Sequence, residues 1–109
     1  MTDCLLQPAT RDIDHHRLGE LAHRIWHEHY PGIISREQIE YMLATQYDTE
    51  TLSHQQSEGT RFVLAWIEQT PVGFAGVSPD EEAAEIVWLD KLYILAAYRG
   101  QGIGRRLID

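Results

Sequence analysis

A chain of 109 residues with 43% apolar side chains is one domain's worth or less, able to bury a modest core without disulfides or a structural metal. The single cysteine, Cys4, cannot close an intramolecular disulfide, and no apolar run is long enough for a signal peptide or a membrane span, so a cytoplasmic protein is expected. The net charge of -8, with no basic stripe to offset it, argues against nucleic acid and anionic membrane as partners.

The run CLLQPAT, residues 4–10, is short, apolar and closed by a proline, and predicts a first strand. Asp14 is placed to cap a helix in which Leu18, Leu21, Ala22, Ile25, Trp26 and His29 share one side, and Pro31 with Gly32 ends it. Ser35 and Gln38, three apart, form a capping box for a second helix that buries Ile39, Met42, Leu43 and Tyr47, with Tyr41 pointing away. The polar residues 48–60 read as a loop or a short third helix.

RFVLAWIE, residues 61–68, and VGFAGVS, residues 72–78, flank Gln69, Thr70 and Pro71 and predict an antiparallel hairpin. After an acidic loop, IVWLDKLYILAA, residues 86–97, is apolar on both alternating faces except at Asp90 and Lys91. That is the pattern of a central strand covered on each side by helices. Ile103, Leu107 and Ile108 then open a last helix of about two turns. The fold class expected is α/β (α+β), with a mixed, mainly antiparallel sheet flanked by helices.

His23 and His27 lie four apart on one helix face, as helical metal ligands can. No third ligand of fixed spacing lies near them in sequence, and HRIWH lacks the zincin glutamate at its second position. A solvated face and no metal are therefore expected.

The segment YRGQGIGRR, residues 98–106, carries chemistry. A strand, a tight glycine turn and a helix start present backbone N–H groups at a positive dipole end, and glycines let an anion approach without obstruction by Cβ. A phosphate-bearing ligand is expected. No Lys-Ser/Thr pair follows the glycines, so the P-loop pattern fails. The even spacing of Gly100, Gly102 and Gly104 does not fit the dinucleotide fingerprint either, and an early hairpin disfavours an all-parallel sheet.

A third pattern, Arg or Gln, two residues, Gly, one residue, Gly or Ala, is met by Arg99, Gly100, Gln101, Gly102, Ile103 and Gly104. With strand, two helices, hairpin and long apolar strand in that order ahead of it, the chain resembles the GNAT superfamily of acetyl-CoA-dependent N-acetyltransferases. The resemblance covers essentially all 109 residues as one partial domain, about two-thirds of a usual family domain. It implies that the amides of residues 99–104 bind the CoA pyrophosphate, with Arg105 adding charge. It also implies that backbone groups of Leu92, Tyr93 and Ile94 pair with the pantetheine arm like an added strand.

The resemblance further implies acetyl-CoA as cosubstrate and a primary amine of a small molecule or protein as acceptor. An alkyl ammonium has a pKa of about 10.4 and must lose its proton before it attacks. Family members place a His or Glu at positions matching Trp88 and Asp90; Trp88 cannot take a proton and Asp90 can. A strand amide among Leu92, Tyr93 and Ile94 would stabilise the oxyanion. The family's usual acid, a tyrosine on a later helix, is expected beyond Asp109. Tyr30, Tyr41, Tyr47, Glu37 and Glu40 are candidates to line the acceptor site. Alternatives from other classes are a noncatalytic CoA-binding or interaction module, and a nest for another anion such as a nucleotide. The chain is expected to be a fragment or truncated product, and its long apolar strand, left as an edge, to favour a homodimer.

Overall fold

The computed structural model describes residues 4–80, 82, 86–100 and 102–108. Alternating apolar and β-branched residues form four strands, β1 (Cys4–Pro8), β2 (Arg61–Ile67), β3 (Thr70–Pro79) and β4 (Val87–Ile94). They make one antiparallel sheet in the order β1-β2-β3-β4. Four helices accompany them: α1 (Asp12–His29), α2 (Arg36–Gln46), α3 (Thr49–Ser57) and α4 (Ile103–Ile108).

The start of α1 lies earlier than expected. Arg11 is the N-cap, and Asp14 sits three residues inside, where its carboxylate accepts the Arg11 backbone N–H at 3.1 Å and the guanidinium at 3.1 and 3.2 Å. Hydrogen bonding to the Arg11 guanidinium holds the buried Asp14 carboxyl below its usual range, against the opposing effect of burial. Leu18, Leu21, Ala22, Ile25 and Trp26 form the buried stripe, whereas His29 is exposed and packs edge-on against the Tyr30 ring at 4.8 Å. His29 is the last residue of the helix and lies beyond the part of the stripe that the sheet covers.

Ser35 caps α2 by accepting the Gln38 N–H at 3.1 Å. Ile39 and Leu43 are buried, Tyr47 beyond the helix end is buried too, and Met42 is only partly covered. Residues 48–60 resolve into a helix because Asp48 accepts the Thr51 N–H at 3.3 Å and Leu52 is fully buried. One cap and one apolar anchor suffice for nine residues.

The β2–β3 turn consists of Glu68 and Gln69, both left-handed at φ 49° and 69°. This is a two-residue hairpin turn whose twist matches the strands. Thr70 and Pro71, expected in the turn, already belong to β3. Pro71 is tolerated there because the register slips beside its partner Trp66.

Side-chain alternation divides the layers. Phe74 and Tyr93 face the α1–α3 side, where Tyr47 lies 5.9 Å from Phe74 and Trp26 lies 6.1 Å from Tyr93, centroid to centroid. Ile94 faces the other side, where α4 packs on β4, β3 and β2. Phe74, Leu18, Ile25, Leu64 and Leu95 are among the fully buried side chains, each stabilising the fold by about 1.5–3 kcal/mol through removal from water.

Among the described residues the long apolar strand lies at the edge of the sheet. Among the described residues β4 pairs only with β3, and Val87, Trp88 and Leu89 are 65%, 59% and 47% exposed. Its apolar character on two faces is satisfied only in its second half, where Tyr93 meets α1 and Ile94 meets α4. No helix among the described residues is long and apolar enough to cross a membrane.

Candidate functional site

The pairing of β4 with β3 holds the first local feature. Gly76 opposes Lys91 and Val77 opposes Leu89, so Asp90 is an extra residue with no partner. Such a bulge bends the strand and re-aims the side chain it carries. Asp90 is exposed, and its Oδ2 accepts the Ser78 hydroxyl, which in turn lies 2.9 Å from the Thr60 hydroxyl. Its hydrogen-bonding partner is thus a hydroxyl pair on the neighbouring strand of the sheet and the loop before β2, not the adjacent Lys91. The bulge also breaks the parity that strict alternation would give Asp90 with Leu92 and Ile94.

Lys91 turns inward instead. Its Nζ lies 5.5 Å above the Tyr47 ring and 5.8 Å above Phe62, and donates to Gln55 Oε1 at 3.3 Å. Burial pushes its ammonium below the ordinary lysine range, and the nearby Asp90 charge opposes that shift.

The ladder phase sorts the three expected backbone groups. Leu95 donates its N–H to the Val72 carbonyl at 2.9 Å, and Phe74 opposes Tyr93. Hydrogen-bonded pairs alternate along an antiparallel ladder, so Tyr93 also spends its backbone groups on β3, while those of Leu92 and Ile94 face outward. The Ile94 carbonyl accepts Arg99 Nε at 3.2 Å, in keeping with that direction. Tyr93 offers its phenol to the interior, with its oxygen 3.3 Å from that of Tyr30. Burial, then the Tyr30 hydroxyl, hold the Tyr93 phenol well above its usual range.

The bend follows at once. Residues Ala96–Tyr98 make a single 3-10 turn, in which Tyr98 N–H bonds the Leu95 carbonyl at 2.9 Å. Glu28 of α1 accepts the Ala96 N–H at 3.2 Å, a positioning contact that sequence reasoning missed because it joins residues far apart in the chain. Gly100 and Gly102 are left-handed at φ 83° and 79°, and a Cβ on either would meet nothing within 4 Å. The main chain is therefore approachable at both glycines. Gln101 lies outside the described residues. Ile103 is buried and roots α4, and Gly104 sits so near β4 that a Cβ would come within 3.1 Å of Ile94 Cδ1. Arg105 is exposed, whereas Arg106 is engaged with the Cys4 carbonyl.

An edge strand bulged at an acid, outward backbone groups beyond it and a bend with two open glycines agree with the match of residues 18–109 to the family model described as the acetyltransferase (GNAT) family. The chain belongs to the GNAT acetyltransferase family. No curated protein matches it. Among solved structures it is similar to the PaiA N-acetyltransferase from Thermoplasma acidophilum in complex with coenzyme A, at 26% identity and TM-score 0.81, with 97% of this chain and 67% of that one covered. A GCN5-related N-acetyltransferase from Rhodopseudomonas palustris aligns at 24% identity and TM-score 0.73 over 100% of this chain and 63% of that one. The diaminobutyrate acetyltransferase EctA from Paenibacillus lautus, in complex with L-2,4-diaminobutyric acid and coenzyme A, aligns at 18% identity and TM-score 0.59 over 99% and 55%. The last two likenesses bear on the GNAT fold. This chain spans between 55% and 67% of the length of these three proteins.

Of the residues expected to line a GNAT acceptor site, Tyr30 and Tyr47 both pack on Trp26, at 4.5 and 6.0 Å between ring centroids. Tyr47 is 5% exposed and part of the core, and burial raises its phenol to about 12. Tyr41 is 66% exposed, Glu37 is exposed, and Tyr30 turns to Tyr93. Glu40 has a different neighbourhood, beside His23 and His27 of α1.

Proposed function

We propose that this chain forms the acetyl-CoA-binding part of an N-acetyltransferase that acetylates a primary amine, on a small molecule or a protein, by direct transfer. The observation that carries the reading is the bend: two left-handed glycines with open space over their main chain, directly after an edge strand whose Leu92 and Ile94 backbone groups face outward. Solved relatives crystallised with coenzyme A support it.

Acetyl-CoA supplies the acetyl group as an activated thioester. The amides of Arg99, Gly100, Gln101, Gly102, Ile103 and Gly104 would hold the pyrophosphate, with Arg105 adding positive charge. The outward backbone groups of Leu92 and Ile94 would take the amides of the pantetheine arm, as an incoming strand would. One of those two N–H groups then also faces the acetyl oxygen as negative charge develops there. Tyr93, expected to share the pairing, contributes a wall instead, because its main chain is committed to Phe74.

Asp90 is the residue we assign to proton transfer. An amine nitrogen that is about to be acetylated must be neutral, and Asp90, exposed at the bulge, takes its proton directly or through water. The Ser78 hydroxyl orients one carboxylate oxygen and leaves the other open to the amine. The nitrogen then bonds to the acetyl carbon as the carbon–sulfur bond breaks, and the departing thiolate takes up a proton. The small diamino acid that EctA binds is the type of acceptor to try first.

Calorimetry with CoA, acetyl-CoA, ATP and NAD is the test, followed by acetylation of a panel of amines read by thiol release. Binding of CoA and acetyl-CoA in preference to ATP and NAD is expected. Equal affinity for ATP, or no heat with any CoA form from a well-folded sample, would overturn the reading.

A further inference from the structure

Away from the bend, helices α1 and α2 bring three side chains of metal-ligating type together. His23 and His27 stand one turn apart on α1 with ring centroids 4.4 Å apart, and Glu40 reaches them from α2. His27 Nε2 lies 2.8 Å from Glu40 Oε1, and His23 Nε2 lies 3.8 Å from the same oxygen. One ligand atom from each residue falls within 4.8 Å of the others.

We propose that His23, His27 and Glu40 form a divalent transition-metal site of the zinc class that joins α1 to α2. The inference is independent of acetyl-CoA binding.

Geometry separates this reading from a simple histidine–carboxylate ion pair. Despite the short separation, His27 Nε2 makes no hydrogen bond and is shielded from solvent. The nitrogen and the oxygen are close without pointing at each other. Groups that share an ion behave this way, because each aims at a point between them. For zinc bonds of 2.0–2.2 Å in tetrahedral array, neighbouring ligand atoms stand about 3.3 Å apart. The distances of 2.8 and 3.8 Å straddle that value, and the third pair, within 4.8 Å, must close by about 1.5 Å at most, a shift that rotation of the exposed His23 side chain can supply.

The donor set selects the metal. Two imidazoles and one carboxylate suit Zn²⁺ or Co²⁺ better than Mg²⁺ or Ca²⁺, which favour all-oxygen surroundings. Three protein ligands leave a fourth position for water. Of the α2 side chains only Ile39 and Leu43 are buried, so a metal cross-link to α1 would add appreciably to the hold on this helix.

The experiment uses the full chain without an affinity tag, stripped with EDTA, and titrated calorimetrically with Zn²⁺. Variants His23→Asn, His27→Asn and Glu40→Gln are compared with His54→Asn, whose histidine on α3 faces Glu58 just past the helix end, with no third ligand among the described residues. One equivalent of Zn²⁺ should bind to the parent and to His54→Asn, raising the melting temperature of both. Loss of an outer-shell partner alone costs about 10–100-fold in metal affinity, so each ligand variant should bind more than tenfold more weakly. Co²⁺ should give the intense visible bands of a four-coordinate ion, and Mg²⁺ should leave the melt unchanged. Circular dichroism checks folding, and if His27→Asn does not fold, the more exposed His23 and Glu40 decide. No stoichiometric Zn²⁺ binding, or binding weakened less than tenfold in His23→Asn or Glu40→Gln, overturns the proposal.

Discussion

Arg106 Nη1 donates to the carbonyl oxygen of Cys4 at 2.6 Å, tying the last helix to the first strand across 102 residues of chain. The bond runs over the face of the sheet that α4 covers, and it gives an exposed arginine a structural task. Replacing it, Arg106→Ala, should lower stability by about 0.5–1.5 kcal/mol, the range for a hydrogen bond open to water. Urea unfolding followed by tryptophan fluorescence measures it; CoA affinity should not change.

Gly102 is left-handed and faces open space. An alanine Cβ there meets no atom within 4 Å among the described residues outside its chain neighbours, so its effects divide cleanly. The conformation itself costs about 1–2 kcal/mol for a residue with a Cβ, visible in a melt. The methyl group also stands where a pyrophosphate would approach, and CoA affinity should fall more than tenfold. Gly100→Asn, with a residue that adopts this conformation more readily, should cost less stability.

Asp90→Asn keeps the shape of the bulge and the ability to accept the Ser78 hydroxyl, but removes the base. Turnover should fall by about 10²-fold or more while CoA affinity stays within a factor of two or so of the parent. An unchanged kcat would remove Asp90 from the mechanism.

The Asp14 carboxyl is held low by Arg11, so its contribution to stability depends on pH. A carboxyl whose folded-state pKa lies below its unfolded value of about 3.9 stabilises the fold fully above that value and loses its effect as pH falls through the folded one. The variant Asp14→Asn should therefore be less stable than the parent by about 1–2 kcal/mol at neutral pH. The gap should close on acidification below about pH 4. Paired urea titrations across pH 2–7 (roughly) read it out.

What the sequence disclosed was what local pattern encodes. The stripe of α1, the Ser35 cap, the hairpin and the glycine bend all rest on residues within a few positions of one another. The turn at Glu68 and Gln69 escaped because neither residue belongs to the Asn-Gly or Asp-Gly chemistry that announces such turns. Arg11 is not a usual cap either, whereas Asp14 has the chemistry of one and serves from inside the helix. The bulge at Asp90 was hidden for a different reason: period two in one strand says nothing about which residue its partner skips. Glu40 could not be joined to His23 and His27 from sequence, since the third ligand comes from another helix and its approach is set by how α2 lies on α1. Tyr47, an acceptor candidate on sequence, is buried against Trp26 and Phe74, residues far from it in the chain.

The outward direction of the Leu92 and Ile94 amides has a use of its own. Such protons trade with deuterium from the solvent until something covers them, whereas that of Tyr93 is sheltered by β3. Mass spectrometry of peptides spanning this strand would thus show occupancy as a fall in deuterium uptake, with no turnover and no knowledge of the acceptor.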